Sequence, residues 1–160
     1  MVKQKQAAIR SAISALAIGA VSLIAYFEGF RGDAYLPTKN DVPTIGYGQT
    51  HYSDGKKVRL GETITEAEAR KELTKLVKKY SVSIDKCIKV PLKQNEYDAY
   101  LSLAYNIGSG AFCRSTLIKK LNAKDYKGAC DQILVWKYQK GKVLKGLENR
   151  RKKEHAKCIE

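Results

Sequence analysis

The chain has 160 residues, 44% of them hydrophobic by the broad count, with 12 Gly, 3 Pro and 29% charged side chains. That is roughly one domain with enough apolar material for a core of its own, and the composition excludes disordered, collagenous and polytopic membrane proteins. The charge is lopsided: 30 Lys and Arg against 16 Asp and Glu give +14, and residues 101–160 hold 14 basic and 5 acidic side chains. Such a field draws polyanions, whether nucleic acid, anionic lipid or an acidic cell-wall polymer. Lys far outnumbers Arg, and no run interleaves basic and aromatic residues, so nucleic acid is not the expected partner.

The N-terminus comes first in chain order. Residues 1–10 carry Lys3, Lys5 and Arg10 and no acid, and residues 11–27, SAISALAIGAVSLIAYF, carry no charge. A positive flank before an apolar stretch is the pattern of a signal peptide or an N-in anchor. Seventeen residues are at the short edge of a span, and Ala, Ser and Gly make this one only mildly apolar. The bulky IAYFEGF at its end is a poor cleavage site, so the stretch reads as an uncleaved, weakly held anchor. The competing reading is an ordinary buried helix.

Helical spacing of Val21, Ile24 and the Leu23/Phe27 pair predicts a helix over 20–30, broken by Gly29 and Gly32. Residues 33–60 are punctuated by Pro37, Pro43, Gly46, Gly48 and Gly55, which predicts turn-rich β structure. Thr65-x-x-Glu68 is a capping box opening a helix with Leu73, Leu76, Val77 and Tyr80 as its apolar stripe. After Pro91, a second helix has Tyr97, Leu101, Ala104 and Tyr105 on one face and stops at Gly108. Ser115 caps a short helix through Leu121, and further helical patterns cover 125–137 and 146–158. Helix, small sheet, then helices only is an α+β architecture.

Four cysteines, Cys87, Cys113, Cys130 and Cys158, are widely spaced, and there are only two His. That argues against a zinc site, for which ligands come in close pairs. With an export signal, they predict two disulfides. The expected pairing is Cys87–Cys113 and Cys130–Cys158, joining helix ends; Cys87–Cys158 or Cys87–Cys130, exchanging on activation, is the alternative.

Two segments carry candidate chemistry. Glu28 ends an apolar helix face between Phe27 and Phe30, and a partly desolvated carboxyl suits a general acid. An acid at the negative end of the helix dipole is locally disfavoured and calls for a reason. The stretch Asp41-Val42-Pro43-Thr44-Ile45-Gly46-Tyr47-Gly48 brings a carboxylate and a hydroxyl to a turn, and its glycines admit close approach. Two acids across a cleft are what glycoside hydrolysis requires. Arg151, Lys152 and Lys153 read as a solvated basic face.

Glu28-Gly29-Phe30-Arg31, Ala34-Tyr35 and Pro43-Thr44-Ile45-Gly46-Tyr47-Gly48 together resemble the phage lysozyme (endolysin) family, glycoside hydrolase family 24. The likeness continues through Leu92-x-x-Asn95-x-Tyr97-Asp98-Ala99, Asn106-Ile107-Gly108, Ser115-Thr116-Leu117, Ala129-Cys130-Asp131-Gln132, Trp136 and Lys145-Gly146-Leu147-x-x-Arg150-Arg151-x-x-Glu154. The N-terminus is similar to that of the signal-arrest-release subgroup. The resemblance implies a lysozyme-like fold: an N-terminal segment 1–27 running into the first helix, then a catalytic domain 28–160 with a β region at about 31–61 and a helical lobe at about 62–160. It implies a muramidase cutting the β-1,4 bond between N-acetylmuramic acid and N-acetylglucosamine, with inversion and with neither cofactor nor metal. The implied partners are peptidoglycan and, before release into the periplasm, the host inner membrane; the protein is expected to act as a monomer.

Residue by residue, Glu28 matches the proton donor and Thr44 the family threonine. The usual second acid position, nine residues after Glu28, holds Pro37. Asp41 is the nearest acid on the far side to take its place, since Asp33 is too close to Glu28, with Thr38 as a neutral alternative. Arg150 matches an arginine that holds the catalytic carboxylate, Asn106 a cleft amide, and Gly46 and Tyr47 the strand along the sugar. Gln49 stands where many relatives have His. Because Pro37 replaces an acid, a non-catalytic basic protein of this fold that binds cell wall or membrane is the competing function.

Overall fold

The computed structural model describes residues 18–160. The positive flank and residues 11–17 of the uncharged stretch lie outside the described residues. The rest of that stretch forms helix α1, Ile18–Glu28, whose buried stripe is Ala20, Val21, Ile24 and Ala25. Leu23 and Phe27 are only half-buried. The helix stops where expected, because Gly29 takes φ +67°, a conformation that other residues rarely adopt.

A small β region follows. Strand β1, Arg31–Tyr35, pairs antiparallel with β2, Thr44–Gly46. The register is Arg31 opposite Gly46 and Tyr35 opposite Thr44, so β1 spends more residues than β2 over the same span and bulges. Isolated bridges Asp33–Thr63 and His51–Lys57 complete the region. Tyr35 and Thr44 are thus cross-strand neighbours, and residues 36–43 form the loop between them.

Helix α2, Glu66–Asp85, opens on the expected capping box: Glu68 N–H donates to Thr65 Oγ1 at 3.3 Å, and Thr65 N–H donates to Glu68 Oε2 at 2.9 Å. Leu73 and Val77 are fully buried on its inner stripe. Helix α3, Gln94–Ile107, runs through the centre of the molecule and packs against α1 and α2. Its Tyr97, Tyr100, Leu101, Leu103 and Ala104 are buried, and Gly108 ends it at φ +89°. Short helices α4, Ser109–Arg114, and α5, Thr116–Asn122, follow; Ser115 caps the second by accepting from Ile118 N–H at 3.4 Å.

The pattern at 125–137 predicts one helix, and the structure divides it. Helix α6 spans Tyr126–Asp131, and the chain then tightens into a 3₁₀ turn, Gln132–Val135. A hairpin of β3, Tyr138–Gln139, and β4, Lys142–Val143, comes next. Its two turn residues, Lys140 and Gly141, have φ +49° and +75°, matching the twist of a two-residue hairpin. Lys in the first of these positions hides the turn from sequence inspection. Helix α7, Lys145–Cys158, closes the fold and packs along α3.

The architecture is α+β, with the β region at one end and α1, α2, α3 and α7 around the core. Both disulfides have the expected pairing: Cys87–Cys113 with Cα atoms 5.6 Å apart, and Cys130–Cys158 with 5.7 Å.

Candidate active site

Glu28 is the last residue of α1, where the core helix hands over to the β region. Two elements meet its carboxyl group. From α7, Arg150 Nη1 donates to Glu28 Oε1 at 2.7 Å. From the loop after β2, Gly48 comes so close that a Cβ there would lie 3.2 Å from Glu28 Oε2. Gly48 also has φ +78°, so a larger residue there would be strained and would crowd the carboxyl. The Glu28 side chain keeps 24% of its surface exposed and that of Arg150 only 8%. The carboxyl is therefore held from behind by a buried cation while its other face stays open.

The ring of Phe27 lies under the guanidinium of Arg150, 4.8 Å from its carbon, a cation–π contact that fixes the arginine in a second direction. Tyr105, half-buried on α3, sits beside this pair. Burial, with the carboxylate of Glu28 next, pushes its phenol up from the usual value, so it remains a neutral hydroxyl.

Arg150 is itself anchored. Its Nε donates to Glu154 Oε1 at 3.1 Å and its Nη2 to the Ser102 carbonyl at 3.4 Å. Glu154 is fully buried and accepts from Ser102 Oγ at 2.7 Å and from Arg151 Nη2 at 3.1 Å. Arg151 Nε lies 2.7 Å from Glu154 Oε2, an ion pair without hydrogen-bond alignment. The expectation of a solvated face at Arg151 is corrected here: the residue is 1% exposed, because its place on α7 points it inward between Trp136 and Glu154. Lys152 and Lys153 are exposed. The role of Glu154 was not apparent in the sequence, although its spacing of four from Arg150 and three from Arg151 is the spacing of helical ion pairs.

Thr44 begins β2 and is 4% exposed; its hydroxyl donates to the Val42 carbonyl at 3.1 Å. That bond uses the hydroxyl proton and leaves the oxygen free to accept. Asp41 is exposed in the 36–43 loop, in a turn where its N–H donates to the Thr38 carbonyl at 3.1 Å. Its own carboxylate accepts only from the adjacent Val42 N–H, at 3.1 Å, among the hydrogen bonds described. Pro37 and Thr38 are exposed in the same loop. Glu28 and Arg150 thus meet directly, whereas Asp41 and Thr44 stand on the β side.

Gly46 and Tyr47 are spent on packing. A Cβ on Gly46 would lie 2.4 Å from Gln49 Oε1 and 3.1 Å from Ala69 Cβ. Tyr47 is 3% exposed, its ring 5.7 Å from that of Phe30, and its hydroxyl donates to Glu66 Oε1 at 3.0 Å. Together they seat the β region on α2. Gln49 is buried at the same seam, its Oε1 accepting from Tyr47 N–H at 3.3 Å. Asn106 is exposed near the end of α3, next to Tyr105.

Comparison with known proteins places the chain in a family. The phage lysozyme family matches residues 25–154. The SAR-endolysin of Enterobacteria phage P21 is 40% identical over 134 residues, 82% of this chain and 79% of that protein. The endolysin of Salmonella phage P22 is 41% identical over 129 residues, covering 81% and 87% of the two chains. Among solved structures, the endolysin from Escherichia coli O157:H7 phage FAHEc1 superposes with a TM-score of 0.82 at 38% identity, over 91% of this chain and 93% of that one. The chain belongs to the phage lysozyme family, and is a lysozyme-type hydrolase of the class with which phages lyse their hosts.

Proposed function

We propose that the chain hydrolyses the β-1,4 bond between N-acetylmuramic acid and N-acetylglucosamine in peptidoglycan, with Glu28 as the general acid. The observation that carries this reading is the geometry of Glu28: one oxygen is fixed by Arg150 at 2.7 Å while the group keeps an open face at the junction of the two lobes. Protonated, it gives its proton to the glycosidic oxygen as the bond breaks. Water then adds to the anomeric carbon from the opposite side, which inverts the configuration.

Asp41 and Thr44 are the groups we assign to that water. Asp41 takes up its proton, and the Thr44 oxygen, its own proton committed to Val42, accepts a hydrogen bond that orients it. Asn106, exposed beside Tyr105, binds a sugar amide. Nothing in this scheme requires a cofactor.

The second part of the proposal concerns location. No helix among the described residues is long and apolar enough to cross a membrane. We assign residues 11–27 as a weak inner-membrane tether whose second half becomes α1 once the protein is free in the periplasm. In the tethered state Glu28 sits at the headgroup level and the β region cannot close against its helix.

A turbidity assay on Gram-negative cells with permeabilised outer membranes tests the chemistry. Wild type clears the suspension, and Glu28→Gln, which keeps size and polarity but has no proton to give, slows clearing by about 10²–10⁴-fold. Clearing at the wild-type rate by Glu28→Gln would remove Glu28 from the mechanism.

A further inference from the structure

The buried cluster behind Glu28 contains more charge than is needed to hold one carboxylate. Among the described residues, Arg150 makes that contact. Arg151 does not reach Glu28, yet it is fully buried one residue away and feels the charge of Glu28. Two guanidiniums therefore stand behind the residue proposed as the proton donor. Cations favour the ionised form of a neighbouring carboxyl, which is the wrong form for a general acid. Glu154 lies between the two arginines, with both of its oxygens engaged by them.

The charge count follows from these contacts. With Glu28 ionised, two cations face two anions. With Glu28 protonated, two cations face Glu154 alone. Without the charge of Glu154, a protonated Glu28 would have two uncompensated cations behind it, and the proton would leave more readily.

We propose that Glu154 is a positioning and charge-compensating residue for the lytic reaction: it fixes Arg150 for its bond to Glu28 and cancels one of the two arginine charges behind that carboxyl. The inference rests on the reading of Glu28 as the general acid. The groups facing the cluster are Arg150 and Arg151 from α7, Ser102 and Tyr105 from α3, and Gly48 from the loop after β2. Tyr105 stays neutral in the working range, so the two arginines and two glutamates are the charges that matter.

A purely structural role explains the cluster less well. Burial pushes the Glu154 carboxyl up and the Arg151 guanidinium down, each against the pull of its partner. Buried ion pairs of this kind add little stability over apolar residues of the same volume. The bond that Glu154 accepts from Arg150 Nε is what an apolar residue could not reproduce.

The test is the pH profile of lysis by the full chain freed from membranes, each variant normalised to its own maximum so that the folded fraction drops out. Glu154→Gln keeps shape and an acceptor for Ser102 and Arg150 but removes the charge. Its alkaline limb moves to lower pH by on the order of one unit, the effect of removing one charge that shares the Arg150 guanidinium with Glu28. Glu154→Asp, which keeps the charge, leaves the limb in place. The double variant Arg151→Met with Glu154→Gln removes one charge of each sign and returns the limb toward wild type. An unmoved limb in Glu154→Gln overturns the proposal, as does a double variant whose limb stays shifted. Glu28→Gln, run alongside, separates the two layers: if it lyses at the wild-type rate, the reading of Glu28 has failed and the role of Glu154 falls with it.

Discussion

The carboxylate of Asp98 on α3 accepts a hydrogen bond from the backbone N–H of Ala20 at 3.1 Å, so it caps the end of α1 opposite Glu28. Gln94 Nε2 donates to the same oxygen at 2.7 Å. Gly19 makes room for it: a Cβ there would lie 2.0 Å from Asp98 Oδ2. The helix that presents Glu28 is thus pinned at both ends, by Asp98 at the first turn and by Arg150 at the last residue.

The Asp98 cap has a pH signature. Burial, the largest influence, raises the Asp98 carboxyl above its usual value despite its hydrogen bonds. A raised carboxyl binds its proton more tightly in the folded state than in the unfolded one, so its ionisation costs stability. That cost is absent below the unfolded value of about 3.9, grows as pH rises to the folded value, and is constant above it. Asp98→Asn keeps the acceptor for Ala20 and Gln94 without the charge, and we expect equal or higher stability than wild type at neutral pH. Asp98→Ala should lose about 1–3 kcal/mol, since the buried Ala20 N–H and the half-buried Gln94 amide lose this acceptor. Urea denaturation of the three proteins at pH 7 and pH 4 checks both; Asn and Ala behaving alike at pH 7 would contradict the cap.

Arg150 joins Glu28, Glu154 and the Ser102 carbonyl through three different nitrogens. Lysine has one nitrogen and cannot serve all three in that fork. We expect Arg150→Lys to fold with reduced stability and to lyse far more slowly than wild type. Arg150→Ala leaves the Glu154 carboxylate short of a partner in the interior and should cost about 3–5 kcal/mol. Thermal unfolding and the turbidity assay, run on the same preparations, distinguish loss of fold from loss of chemistry.

Much of this was legible in the sequence because local signals and tertiary structure agree. The Thr65/Glu68 capping box, the Gly29 and Gly108 stops and the Ser115 cap each act within one helical turn, and each appears where the residues place it. The disulfide pairing followed from which helix ends carry cysteine. The Glu28–Arg150 pair spans 122 positions, so residue patterns alone could not place it; family resemblance did. The inward turn of Arg151 was hidden for a different reason. Four consecutive basic residues at 150–153 look like a solvated run, and only packing against α3 and the Trp136 carbonyl decides which of them face inward. The 138–143 hairpin was missed because Lys140 occupies a left-handed position where Asn or Gly would have announced the turn.

The disulfides stitch the helical lobe from two sides. Cys130–Cys158 ties α6 to the end of α7, the helix that carries Arg150, and closes 28 residues; Cys87–Cys113 closes 26. Loops of that size are worth roughly 3–4 kcal/mol each. Loss of Cys130–Cys158 through a double Ala variant should lower the melting temperature by roughly 10 °C, and it should also slow lysis because the far end of α7 is released. Loss of Cys87–Cys113 should lower stability to a similar extent with less effect on lysis at temperatures where the fold persists. Equal lytic defects in the two double variants, measured well below both melting points, would dissociate α7 anchoring from activity.

The tether can be tested separately from the fold, and the structure dictates how. Adding Leu within residues 11–27 deepens a membrane anchor by about 0.8 kcal/mol per extra buried CH₂. Gly19 is the wrong place, since any side chain there displaces the Asp98 carboxylate and would block the released fold as well as strengthen the anchor. Ser22 is exposed on α1, so Leu there is tolerated once the helix has docked. Ser14 adds a second site within the same uncharged stretch. We expect the Ser14→Leu, Ser22→Leu variant to stay in the membrane fraction and lyse late or not at all when expressed in the full chain. Collapse of the membrane potential should release wild type faster than the variant. The same Ser22→Leu change in purified, membrane-free protein should leave lysis of permeabilised cells near wild type, which assigns the defect to release rather than to catalysis. Lysis by the double variant on the wild-type schedule, or a wild-type chain never recovered with membranes, would make residues 11–27 a first core helix and nothing more.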